Sequence, residues 1–243
     1  MKGLVFSRPA QAGALKPLLG AAAAVAGAYS AYSPPARRWY LTWGATPDEV
    51  ARAMPGDDLL PEPDLVSTRA ITITAAPSTV WQWLVQMGSG RGGAYTYDWI
   101  ENLLGLDARS ADGILPQFQH LTVGDVLPLG PKGPGMRVEI ADYARTLALR
   151  SEDGTWVWIF GLETYWLGTR LVSRNRIALP RRTLAGWLFN RVVLEPGGLV
   201  MERRMLTGIK ERAEWTAPVS GLAATAGVGQ EVPGRDCRSA RRS

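Results

Sequence analysis

The chain has 243 residues, of which 46% are hydrophobic, enough for one sizeable core with flanking segments. Its formal charge of +5 sits at the ends: residues 1–40 hold five basic side chains and no acid, 41–214 hold 18 basic against 20 acidic, and the remainder four against two. A mildly acidic body lacks the clustered Lys and Arg of a phosphate-binding surface, which argues against nucleic acid as a partner. A single cysteine, Cys237, and a single histidine, His120, exclude an intramolecular disulfide, a Cys-based zinc site and a His cluster.

Between Lys16 and Arg37 there is no charge, and Leu18 to Tyr32 is mostly Ala with Leu, Val, Gly and Tyr. An uninterrupted bilayer span wants about 20 apolar residues, and this stretch is shorter and only weakly hydrophobic. Three readings of residues 1–40 stay open: a single membrane anchor, giving membrane association; a secretory signal peptide, giving a secreted product; or an Ala-rich leader on a cytoplasmic protein. Residues 41–64 read as a short helix and a linker. Thr46 is placed as its N-cap, Pro47 in the first turn, Asp48 and Glu49 at the positive end of the dipole, and Pro55-Gly56 as the stop.

From Leu65 the hydrophobic period alternates. Ile71 and Ile73 against Thr72 and Thr74 predict a strand, and Val80, Trp83, Leu84 and Met87 after Pro77 predict a helix. Gly88, Gly90 and Gly93 then form G-x-G-x-x-G, but they follow a helix rather than a strand, the reverse of a dinucleotide fingerprint. They are expected to cap that helix and turn the chain into a second short one, marked by Tyr97, Ile100, Leu103 and Leu104. Five strand signals follow, in "GDVLPLG", "GMRVEIADY", "TLALRS", "TWVWIFGLE" and "GTRLVSRNRIAL". A long final helix carries Met201, Met205, Ile209 and Ala213 down one face. Beyond Trp215 the tail, 215–243, has little to bury.

Together "ITITAAPSTVWQWLVQMG", "RGGAYTYDWIENLLG", "VGDVLPLG", "WVWIFGLE", "GTRLVSRN" and the closing helix resemble the START-like, helix-grip superfamily called SRPBCC, which includes polyketide cyclases, dehydratases and lipid-transfer domains. The resemblance covers about Leu65 to Ala213 and gives a domain of 65–214. It implies an α+β fold, a curved antiparallel sheet of about six strands wrapped on a long C-terminal helix, with two short helices after the first strand. It further implies a cavity for a small hydrophobic molecule, lipid or polyketide-like, and transfers no catalytic motif, cofactor or metal. Three functions are compatible with it: a ligand carrier, a cyclase or dehydratase, and a protein-interaction module.

Such a cavity needs apolar walls and a few oriented polar groups. Trp156, Trp158 and Phe160 share one strand face and are candidate wall residues, as are Met201 and Met205. On "GTRLVSRNRI", Leu171 and Ile177 facing inward would carry Ser173 and Asn175 into the cavity and turn Arg170, Arg174 and Arg176 into a solvated outer face, whereas the reverse register would let an arginine meet a ligand acid. Glu139, between Val138 and Ile140, reads as outward. Tyr95, Tyr97 and Asp98 follow the glycines at the expected rim and are candidate ligand contacts. For acid or base chemistry the candidates are Asp98, Tyr97 and His120.

Overall fold

The computed structural model describes residues 33–97, 109–130, 135–179 and 190–217. The expected second short helix and Asp98, the leader up to residue 32, and the tail after residue 217 lie outside the described residues. A six-stranded antiparallel sheet, ordered β1-β6-β5-β4-β3-β2, forms the centre. Its strands are β1 (Leu65–Ile73), β2 (Val126–Pro128), β3 (Gly135–Asp142), β4 (Thr146–Ser151), β5 (Trp156–Tyr165) and β6 (Gly168–Ile177). β2 to β6 run as the meander that short turns dictate, and β1 adds to the far edge along β6, from Leu65 opposite Ile177 to Ile73 opposite Thr169.

The helices are α1 (Pro34–Leu41), α2 (Pro47–Ala51), α3 (Pro77–Val85) and α4 (Glu195–Thr216). A π-helical turn, Asn190–Leu194, leads into α4. α4 lies across the inner face of the sheet with α3 beside it. Met205, Leu206, Ile209 and Ala213 pack there with Trp83 and Leu84 of α3 and with Leu149, Phe160 and Leu171 of the sheet. This arrangement is a helix grip. Gly197 and Gly198 form its first turns behind Pro196.

The glycines after α3 build a closed loop. Gly88 and Gly93 exchange two backbone hydrogen bonds of 3.0 Å, with positive φ at Gly88, Gly90 and Gly93. That conformation penalises other residues, which accounts for the surplus of glycines. The loop delivers Tyr95 to α4. Its carbonyl lies so close to Gly208 that a Cβ there would come within 2.5 Å of it.

One expectation for the outer face needs correction. Arg170, Arg174 and Arg176 do not form a solvated face, because the acidic segment from Thr46 to Pro61 straps across it. Arg170 binds both oxygens of Glu49 at 2.7 and 2.9 Å. Arg174, with 3% side-chain exposure, reaches Asp57 at 2.7 Å, Thr68 and the carbonyls of Arg52, Glu49 and Val50. Arg176 bonds Asp57 and the carbonyls of Leu60 and Pro61. Beneath the strap Met54 meets Ala70, Ala148, Val157, Ile159 and Val172, a second core on the convex side.

The strap also explains why α2 ends at Ala51 and not at Pro55. The carbonyls that a further turn would use accept from Arg174 instead. The N-terminal end is as expected, with Thr46 and Glu49 forming a reciprocal capping box. Beside Glu139, which is half-buried, β3 shifts register between Val138 and Ile140. The bulge turns Val138 into the inner core and Ile140 toward the outer one, so the two do not share a face.

Burial alone would raise the Glu49 carboxyl. Its bonds to Arg170 and Thr46 outweigh that and hold it below the usual carboxylate range. The stability this contributes is present above the unfolded pKa and is lost as pH falls through the folded one. Glu49→Gln is therefore expected to flatten the loss of stability on acidification, measured by urea unfolding at a series of pH values. Removing the guanidinium in Arg174→Ala strands buried acceptors and should cost about 3–5 kcal/mol in the same assay. Arg52→Ala removes an exposed pair with Glu163 and should cost less than about 1 kcal/mol.

Candidate functional site

α4 does not close on the sheet along its whole length. At its N-terminal half it stands off from β1, β5 and β6, leaving a cavity of about 510 Å³, within the range of about 300–1,000 Å³ usual for small-molecule sites. Its walls are Trp156 and Trp158 on the sheet, Met201 and Met205 on α4, and Leu41, Leu65, Ile177 and Leu194 toward the mouth. The alternation of β5 turns both indoles inward. They stack with ring centroids 5.5 Å apart and planes at 22°. Phe160 continues the row 4.8 Å from Trp158 but lies fully buried below the cavity.

Gly197 and Gly198 widen the space above this wall. A Cβ on Gly197 would meet nothing within 4 Å, and one on Gly198 would come to 4.0 Å from an Arg69 nitrogen.

One side of the cavity is polar. Glu202, on the inner stripe of α4, is paired with Arg69 of β1, the two side chains being 8% and 3% exposed. Glu202 also accepts from Ser173 Oγ at 2.6 Å and from Asn175 Nδ2 at 3.0 Å. Arg69 donates further to the Tyr40 carbonyl and to Ser67 Oγ. The indole N–H groups complete the array, Trp156 donating to Asn175 Oδ1 at 2.8 Å and Trp158 to Ser173 Oγ at 2.9 Å. Burial pushes the Glu202 carboxyl up, against the pull of Arg69, Ser173 and Asn175 in the other direction.

The mouth is built by α1. Arg37 forks onto Glu195 with two bonds of 2.8 Å, and Tyr40 and Arg191 reach the same carboxylate. Tyr40 and Leu41 pack against Leu199. α1 thus docks at the mouth and contributes Leu41 to the wall of the site.

Trp156, Trp158, Asn175, Met201 and Met205 line the cavity, as the alternation and the helical stripe indicate. Ser173 orients Trp158 and Glu202 from just behind the wall. Tyr95 lies elsewhere: it is buried in the core, with its hydroxyl donating to the Trp83 carbonyl at 2.9 Å and its ring edge-on to Trp83. Burial raises its pKa well above the usual phenol value. Its neighbours Ala94 and Thr96 face the cavity instead, because the left-handed backbone at Tyr95 turns the chain there. Tyr97 is half-buried outside the lining, and His120 is exposed in a loop after a short 3-10 turn.

Arg69 and Glu202 were not among the residues singled out by sequence, although both occupy inward positions of their elements. Among the described residues no group of His, Cys, Asp or Glu is arranged to hold a metal ion, and no helix is long and apolar enough to cross a membrane.

The sheet order and the gripped helix make this a helix-grip fold. No family model matches the sequence, and no curated protein does. Solved structures with some likeness include the KanY protein, at 13% identity and TM-score 0.42 over 62% of this chain and 97% of that one. The Aha1 dimer from Colwellia psychrerythraea is 16% identical, with TM-score 0.38 over 62% and 96%. A Polyketide_cyc-like protein from Corynebacterium glutamicum is 17% identical, with TM-score 0.31 over 63% and 89%. Likeness this distant carries nothing about what the chain binds or catalyses.

Because Gly197 is helical and its Cβ position is empty, Gly197→Ala should raise stability by up to about 1 kcal/mol through helix propensity alone. Thermal and urea unfolding would show it, and a destabilised variant would mean that the first turn of α4 is not helical as described.

Proposed function

We propose that the protein binds a small, predominantly apolar molecule between the sheet and the N-terminal half of α4. The supporting observation is the open cavity itself. Its wall of stacked Trp156 and Trp158 faces Met201 and Met205, with only a few polar side chains among the lining residues. An apolar ligand filling a space of this size gains dispersion contacts with its walls. Stacked indoles offer a flat, polarisable surface, and methionines adapt to ligands of varied outline. The rim formed by α1 and the start of α4 joins through the Arg37–Glu195 pair, a partly solvated contact suited to opening and closing over a bound molecule.

Native mass spectrometry of the gently purified protein is expected to show an adduct of a few hundred daltons, extractable into organic solvent. Met201→Trp should fill the cavity from its helix side and abolish the adduct while leaving the melting temperature within a few degrees. A wild-type protein that carries no adduct and takes up no apolar fluorescent probe would rule the reading out.

A further inference from the structure

The polar side of the cavity narrows the class of ligand. We propose that the site selects an apolar molecule whose polar end is neutral, a hydroxyl or a carbonyl, and discriminates against carboxylates and ammonium ions. This rests on the binding function proposed above and follows from how charge and hydrogen-bonding capacity are distributed among the lining residues.

Arg69 and Glu202 both touch the cavity, and each is the other's counter-ion. Their charges cancel. A ligand carboxylate would bring a second negative charge beside Glu202 in a poorly solvated space, and an ammonium would meet Arg69. Either would be desolvated without a free partner. At the rim Glu195 is held by Arg37 and Arg191, whose side chains are in contact with solvent, so that among the described residues the positive charge there is screened. The cavity interior offers neither sign of ion a place.

It does offer neutral hydrogen bonds. Ser67 Oγ accepts from Arg69 and retains its own proton to donate. The Asn175 amide gives one N–H to Glu202 and accepts from Trp156, leaving a second N–H and a second lone pair. Both residues line the cavity. A ligand oxygen that accepts from Ser67 and Asn175 satisfies them without disturbing the ion pair. A hydroxyl has a proton to return to the Asn175 oxygen as well. Specificity here comes as much from repulsion of ions as from attraction of the neutral group.

The test is a titration of the full-length protein with decanol, decanoate and decylamine near neutral pH, followed by tryptophan fluorescence and calorimetry. Wild type should bind decanol at least about tenfold more tightly than either ion. Ser67→Ala should weaken decanol about fivefold, the worth of one neutral hydrogen bond. Glu202→Gln frees Arg69 and should turn the preference toward decanoate, and Arg69→Gln should turn it toward decylamine. The two swaps are independent, so loss of fold in one leaves the other to report, and the wild-type series stands without either.

Decanoate or decylamine binding to wild type as well as decanol does would overturn the neutral-end proposal and leave the apolar cavity function in place. Failure of all three, together with failure of an uncharged hydrocarbon probe, would overturn both.

Discussion

Arg69 reaches inward from β1 to meet Glu202 on α4, and this buried ion pair joins the helix to the sheet at the place where their apolar surfaces part company. Below it, Leu206, Ile209 and Ala213 close onto Phe160 and Leu171 as an ordinary core. Above it the helix stands clear of Trp156 and Trp158. The pair costs desolvation that apolar residues would not, yet it is fully provided with partners: Ser173, Asn175, Ser67 and the Tyr40 carbonyl. Removing one member strands the other among apolar walls, so the contact fixes where α4 lies and what charge a ligand may carry.

The remainder of the architecture keeps that contact in place. An antiparallel sheet of this kind has two faces to cover, and here each is covered by chemistry suited to it. The inner face uses a helix and apolar packing. The outer face of β6 uses three arginines to gather an acidic strap, whose Glu49 and Asp57 supply the charges and whose backbone carbonyls supply most of the remaining acceptors. β6 therefore carries charge recognition on one side and cavity lining on the other, one residue apart throughout. α1 completes the enclosure by tying Arg37 and Tyr40 to Glu195 at the head of α4.

Much of this was legible in the sequence because it follows from two periods. Alternation placed Trp156, Trp158, Ser173 and Asn175 on the inner face, and four-residue spacing placed Met201 and Met205 on α4. The same two rules applied to charged residues would have found the ion pair. Arg69 shares its face with Ser67, Ile71 and Ile73, and Glu202 shares the stripe of Leu206 and Ile209. A charge at an inward position on each of two elements is a signal that hydrophobic periodicity passes over.

What was not legible depended on partners distant in sequence. The arginines of β6 look like a solvated face until the strap, more than a hundred residues earlier, is laid on them. Tyr95 looks like a rim residue until Gly208 lets its backbone approach α4. The Glu139 bulge flips a face by adding one residue, which strict alternation does not anticipate.

The central claim is that α4 and the sheet enclose an apolar space beside an intact Arg69–Glu202 pair. The most direct measurement is a crystal structure of the protein under xenon pressure, since xenon enters apolar cavities and leaves polar ones. The account predicts xenon between Trp158, Met201 and Met205 with the ion pair undisturbed. A helix packed directly against Trp158, with no xenon beside it, would contradict the account.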